Sequence, residues 1–389
     1  MPDGFVSLVD LLRASRPAPQ PDRSGEAATL EPAPGVRDDR DDGAAAESAA
    51  RRLRAKLAMP CGFGRAFDAD GRPLDDGPPI AISTGEAVVP QPLERIALDT
   101  PLWTGVRAID GLLTLARGAR VGIFGAPGTG KSSLLEAIAR GTAADALVVA
   151  LIGERGREAE AWIRRADART AVVCATGDRA AGERARACEA AFAHAAALRA
   201  RGLHVLLIVD SLARYATALR EIALARGEAT GRGGFPPSVF ARLARTLEGA
   251  GATAEGSVTA IASVLDDGDE RDPVSDAARS LLDGHLALSL ERARAGRFPA
   301  IDVLASASRT MACAAGPNHR ASAGRVREAL AWLARTADAR ALGIAAVEPA
   351  GHRFLQAEPA IERLLSGGPH PEPPRRTLGL LAEIADTLG

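Results

Sequence analysis

Residues 120–140 read RVGIFGAPGTGKSSLLEAIAR. The first five, 120–124, make a short apolar strand. Gly125 to Ser132 match G-x-x-x-x-G-K-[ST], and SSLLEAIAR continues with apolar residues at helical spacing. Glycines allow a tight loop whose backbone N–H groups point inward at phosphate oxygens. A helix opening directly behind the loop adds free donors and a favourable dipole. Strand, loop and helix in that order predict a nucleotide site built from Gly125, Pro127, Gly128, Thr129, Gly130, Lys131, Ser132 and Ser133. Lys131 would reach the β- and γ-phosphates, and the Ser132 hydroxyl would ligate Mg²⁺.

The same alternation extends on both sides of the loop. Apolar runs at 146–152 (ALVVALI), 170–175 (TAVVCA), 204–209 (HVLLIV), 257–264 (SVTAIASV) and 284–290 (GHLALSL) are expected strands. Helical spacing is expected at 131–141, 156–166, 181–201 and 211–226. Near-continuous apolar strands separated by helices predict an α/β fold, a parallel sheet covered on both faces. Residues 321–389 are Ala- and Leu-rich helical sequence broken by SGGPHPEPP at 366–374. Upstream, 5–14 predicts a short amphipathic helix, 15–50 a flexible Pro- and Asp-rich linker, and 51–58 a basic helical turn. From residue 62 the sequence is turn-rich, with short strands between loops. The expected divisions are a mostly disordered leader at 1–60, an N-terminal or linker segment at 61–103, a nucleotide-binding core at 104–315 and a helical domain at 316–389.

Two more strand ends carry carboxylates. Asp210 closes the 204–209 run, where an acid can hold Mg²⁺ through water; a cap for the following helix is the other account. The 146–152 run ends in Gly153-Glu154-Arg155-Gly156-Arg157-Glu158. Glu154 there can polarise an attacking water, and Arg155 can neutralise charge on a transferring phosphoryl group. A surface ion-pair cluster opening a helix fits those residues as well. Arg214, after Asp210, fits either a phosphate-side role or an ion pair.

Composition limits the alternatives. The 389 residues hold 48 basic and 49 acidic side chains, a net charge of −1. That excludes a bulk basic coat for nucleic acid or anionic membrane. Only Lys56 and Lys131 are lysines, and the other 46 basic residues are arginines. Such a bias strips most arginines of meaning and makes Lys131 conspicuous, because the phosphate cradle needs a compact ammonium. Cys61, Cys174, Cys188 and Cys313 are scattered and contain no CxxC pair, which fits reduced thiols in a cytoplasm. The start lacks a signal-peptide pattern, and no apolar run approaches 18 residues.

Longer strings carry a resemblance. GRAFDADGRPLDDGPPI (64–80), TGVRAIDGLLTLARGARVGIFG (104–125), GERGREAEAWI (153–163), DSLARYATALREIALARGE (210–228), GGFPPSVFARL (233–243), DPVSDAARSLLDGHLALS (272–289) and RFPAIDVLASASRTM (297–311) resemble the type III secretion ATPases. These injectisome and flagellar export proteins are relatives of the rotary ATP synthase catalytic subunit, and IDVLASASR is closer to the injectisome branch. The resemblance spans about 62–315 and fades after about 330. It implies a RecA-like P-loop core and ATP·Mg²⁺ hydrolysis coupled to protein secretion, through cargo unfolding and chaperone release. In that family Glu154 would be the catalytic carboxylate, Arg155 the adjacent phosphate-side arginine and Asp210 the Mg²⁺-side acid. Arg309 would act across a subunit boundary as an arginine finger, and Phe298 would pack on adenine. The resemblance further implies a homo-hexamer, stalk and regulator partners, chaperone–cargo complexes, no nucleic acid, and a cytoplasmic location peripheral to the inner membrane through the export apparatus. Family members carry an N-terminal β-barrel before GRPLD; only about 60 residues precede that segment, so the barrel is expected to be absent or truncated. Two other functions compete: a truncated paralogue that binds nucleotide or ring partners without efficient turnover, and a nucleic-acid motor on the same core, which the balanced charge disfavours.

Overall fold

The computed structural model describes residues 62–80, 82, 87–266, 272–342, 349–368 and 370–389. The expected helix at 5–14, the linker at 15–50, the basic turn at 51–58 and Cys61 lie outside them.

The strands are β1 (Arg65–Phe67), β2 (Pro101–Leu102), β3 (Leu115–Ala116), β4 (Arg120–Gly125), β5 (Ala146–Ile152), β6 (Thr170–Ala175), β7 (His204–Asp210), β8 (Gly251–Ala252), β9 (Ser257–Leu265), β10 (Gly284–Leu288) and β11 (Ile301–Ser308). The α-helices are α1 (Arg107–Leu112), α2 (Lys131–Gly141), α3 (Gly156–Arg165), α4 (Ala181–Ala200), α5 (Leu212–Ala225), α6 (Pro237–Leu247), α7 (Pro273–Leu281), α8 (Leu290–Arg294), α9 (Met311–Ala314), α10 (Pro317–Ala341), α11 (Pro349–Leu365) and α12 (Pro374–Leu388).

One sheet runs in the order β1-β6-β5-β7-β9-β4-β10-β11, with β8 paired to β9. Its pairings are parallel except β8–β9 and β10–β11. Every residue of β5 and β7 is buried, as continuous apolar strands between two helical layers must be. Leu147, Val149 and Leu151 join Leu134, Leu135 and Ile138 of α2 and Trp162 of α3 in one apolar cluster. The alternate residues Val148, Ala150 and Ile152 are equally buried and face the other layer. There α4 packs on β5, β6 and β7, and its many alanines let it approach closely.

Differences from the sequence expectation have local causes. The run at 284–290 ends as strand at Leu288, because Ser289 caps α8 by accepting the Arg292 N–H at 3.1 Å. Helices α6 and α7 open on Pro237 and Pro273, and a proline at the first helical position is a start rather than a break. Strand β11 has exposed Leu304, Ala305 and Ala307, so it shows no apolar run. Residues 62–389 form one compact unit. Within it β1 hydrogen-bonds to β6, and α12 packs on α1 as well as on α10 and α11. The helical C-terminal residues thus share a core with the nucleotide-loop region, through Val326, Ile361, Leu364 and Leu381 beside Ile109 and Leu112.

Candidate active site

The carboxyl ends of β5, β7, β9 and β4 stand in that order, so the loops after them share one edge of the sheet. Parallel α/β sheets bind ligands along this edge. The 125–130 loop leaves β4 there and turns with Gly128 and Gly130 at φ of 81° and 91°, conformations that favour glycine. Gly130 sits at the N-cap of α2 without a side-chain cap, which leaves the first-turn N–H groups for an anion. Thr129 is buried and its hydroxyl donates to the Ala126 carbonyl at 2.8 Å, fixing the loop from within. Pro127, Gly128, Ser132 and Ser133 are exposed on its rim. The Lys131 ammonium folds back and donates to the Gly125 and Ala126 carbonyls at 2.7 and 2.9 Å. Burial lowers its pKa, opposed by the charges of Asp210, Glu154 and Asp266.

Asp210 ends β7, buried, and accepts the Ser263 hydroxyl from neighbouring β9. The helix cap beside it is made by Ser211, whose side chain accepts the Arg214 N–H, so the Asp210 carboxylate is not spent on capping. Burial raises its pKa, with Ser263 and Lys131 pulling the other way. The Ser132 hydroxyl and the Asp210 carboxylate are hard oxygen donors of the kind Mg²⁺ takes alongside phosphate and water.

Glu154 follows β5, one strand from Asp210. It is only 7% exposed, so it is no surface cluster residue. Arg214 pairs with it, Nε to Oε1 at 2.8 Å, and donates from Nη1 to the Gly153 carbonyl at 2.7 Å. Burial, a hydrogen bond with Glu158 and the nearby Asp210 charge push the Glu154 carboxyl up to about 8, with Arg214 opposing. Arg155 is exposed at the N-cap of α3, turned to solvent next to Glu154.

Phe298 is 48% exposed and its ring lies against the Gly130 backbone: a Cβ built on Gly130 would stand 3.4 Å from it. Beside that ring opens a cavity of about 340 Å³, lined among others by Gly105, Ser133, Ala137, Phe298, Pro371 and Glu372. Its far wall comes from Gly367, Gly368, His370, Pro371 and Glu372. Gly367 N–H bonds the Phe298 carbonyl at 2.8 Å, and Glu372 N–H bonds the Gly105 carbonyl at 2.9 Å. Sequence reasoning missed this wall, because the Pro-rich segment reads only as a break between helices. It also missed Ser263, whose relevance depends on the β7–β9 pairing, and Glu158, which comes back to Glu154 across the start of α3.

Arg309 is exposed and does not join this edge within its own chain. Strand β11 runs antiparallel to β10, so it descends toward the opposite edge. Ser308 is level with Gly284, which is level with Val121, four residues below Gly125. At about 3.3 Å per residue, that is about 13 Å from the loop. The structure therefore brings together the 125–133 loop, Glu154, Asp210 and Phe298, with Arg155 and Arg214 beside them, and leaves Arg309 at the far side.

Known proteins are similar to this chain in sequence and in fold. The family model for the ATP synthase alpha/beta family, nucleotide-binding domain, matches residues 105–308. A type 3 secretion system ATPase of Xanthomonas euvesicatoria is 50% identical over 287 residues, 71% of this chain and 65% of that relative. The chain thus spans 65% of the length of that curated relative. The assembled ATPase EscN of the enteropathogenic E. coli type III secretion system superposes with a TM-score of 0.80 at 37% identity, covering 84% of this chain and 82% of EscN. EscN solved with its central stalk EscO gives a TM-score of 0.77 at 37% identity, over 83% and 81% of the two chains. Among the described residues no helix is long and apolar enough to cross a membrane. The chain belongs to the type 3 secretion system ATPases, within the ATP synthase alpha/beta family.

Proposed function

We propose that this chain is an ATPase whose ATP·Mg²⁺ hydrolysis drives protein export through a type III secretion apparatus, acting as a ring of its own copies. The observation that carries the reading is the gathering of Lys131, Asp210 and Glu154 along one edge of the sheet, after β4, β7 and β5, with the Phe298 cavity at the base end of the loop. ATP phosphates would lie on the free N–H groups of the 125–132 loop. Lys131, released from the Gly125 and Ala126 carbonyls, would turn to the β- and γ-phosphates. Ser132 and Asp210 would hold Mg²⁺, which supplies charge neutralisation between the phosphates when bound. Phe298 would stack on the base.

Glu154 would orient the water that attacks the terminal phosphorus. Burial and the neighbouring carboxylates push its carboxyl up to about 8, which favours the protonated form near neutral pH. A guanidinium arriving from a neighbouring copy would favour the ionised form. Arg309, remote from its own loop, is suited to be that group. A ring would thereby make turnover conditional on assembly. The stalk seen with EscN, regulator proteins and chaperone–cargo complexes are the expected partners, at the cytoplasmic side of the export apparatus.

The test is hydrolysis by the full chain with Mg²⁺ and ATP, compared with Glu154→Gln. Wild type should turn over, and the variant should lose at least about 100-fold in kcat while still binding MgADP. Nucleotide binding by wild type without turnover at any protein concentration would overturn the reading.

A further inference from the structure

Asp110 is fully buried, and among the described residues no arginine, lysine or histidine pairs with it. It instead accepts three hydrogen bonds from the two residues at the start of one turn. Oδ1 takes the Thr104 N–H at 2.8 Å and the Thr104 hydroxyl at 2.7 Å, and Oδ2 takes the Gly105 N–H at 2.9 Å. The Thr104 oxygen in turn accepts the Val106 N–H at 3.2 Å. The turn is wedged on both sides. Gly105, at φ 72°, has no room for a Cβ against Pro371 (2.6 Å), and a Cβ on Gly141, the last residue of α2, would strike the Thr104 carbonyl at 1.9 Å. Gly105, Val106 and Arg107 line the cavity beside Phe298.

We infer that Asp110 is a positioning residue for the base end of the nucleotide: its carboxylate holds the Thr104–Val106 turn in the shape that lets the Phe298 cavity take a purine base. The inference rests on the reading of that cavity as the base site. All three donors point at the carboxylate, so they match its ionised form and lose an acceptor lone pair when it is protonated. Burial pushes the Asp110 carboxyl up to about 7 against those donors. The charged or titratable groups bonded to the same turn and helix are Arg107 and Glu372, 3.6 Å apart, and His319, whose Nε2 meets the Gly111 carbonyl at 2.9 Å. None of them shifts the Asp110 carboxyl. Base affinity is therefore low below pH 7 and rises as pH passes through it.

The experiment measures equilibrium binding of MgADP and of inorganic tripolyphosphate to the full chain between pH 6 and pH 8. Asp110→Asn keeps the volume and sets an amide donor against a backbone donor. It should weaken MgADP about tenfold at pH 8 and leave tripolyphosphate within about twofold. Relative to that variant, wild type should bind MgADP about fivefold more weakly at pH 6 than at pH 8. Thr104→Val removes one donor that favours the carboxylate, so the midpoint should move to higher pH; this variant carries the test if Asp110→Asn fails to fold. Equal losses for both ligands, unchanged MgADP affinity, or a pH midpoint unmoved by Thr104→Val would overturn the inference. Phe298→Ala distinguishes the two levels: if it leaves MgADP affinity unchanged, the base-site reading itself fails.

Discussion

Glu154 is buried beside a second carboxylate, Asp210, and hydrogen-bonded to a third, Glu158, with one guanidinium in contact. Burial and like charge raise its pKa, and Arg214 opposes them. Removing Arg214 therefore does two things. It raises the Glu154 carboxyl further, so less of it is ionised at neutral pH, and it frees the Gly153 carbonyl that anchors the strand end. Arg214→Ala should lower kcat about tenfold with little change in KM, and the pH at which kcat/KM rises should move upward. Steady-state kinetics across pH checks both; a proportional rise in KM with kcat unchanged would assign Arg214 to binding instead. Lys131 was legible in the sequence through its G-x-x-x-x-G-K-S motif, and Asp210 and Glu154 because each follows an apolar run, and a parallel sheet gathers such strand ends at one edge. Arg214 was ambiguous there for a physical reason. An arginine one turn into a helix can point at phosphate, solvent or the next strand, and only the β5–β7 pairing decides.

At the scale of elements, β4 carries the phosphate loop at one end and an unusual packing in its middle. The Phe124 ring folds down over Gly122, so that a Cβ on Gly122 would lie 2.3 Å from a ring carbon. The ring is sandwiched by Arg279 of α7, whose guanidinium is 4.4 Å from its centroid, and meets His285 of β10 edge-on at 6.1 Å. Arg279 also pairs with Asp266, whose N–H bonds the same Gly125 carbonyl that receives Lys131. Packing in the strand's middle is thus tied to the base of the phosphate loop. Gly122→Val should force the ring out of this slot and destabilise the fold by about 1–3 kcal/mol, read as a lower midpoint in urea unfolding. An unchanged midpoint would mean that α7 yields easily. None of this was visible in RVGIF, which shows only that a strand is there. The sheet's edges were less legible still. Strand β1 is three residues long and borrows its stability from β6, while the exposed small residues of β11 hide its pairing with β10.

For the whole molecule, the decisive distance is the one between Arg309 and its own phosphate loop. The antiparallel return of β11 places Arg309, the residue proposed as the finger, toward the sheet edge opposite Glu154. An arginine side chain reaches about half of the 13 Å or so that separates the two levels along the strands, so the residue cannot serve the site above it. In a closed head-to-tail ring each site would take Glu154 from one copy and Arg309 from the next. That arrangement has a consequence that a monomeric enzyme cannot imitate. Glu154→Gln and Arg309→Ala should each be nearly inactive alone, the second by about 10³-fold. Mixed in equal amounts and allowed to reassemble, they should recover activity, because an Arg309→Ala copy with intact Glu154 gains a finger from a Glu154→Gln neighbour. Random mixing makes about one interface in four competent, so about a quarter of wild-type specific activity is the expected ceiling. Wild-type specific activity should also rise with protein concentration as rings form. If the mixture stays as inactive as its parts while wild type is fully active when dilute, Arg309 has no role in trans and the ring is not the catalytic unit.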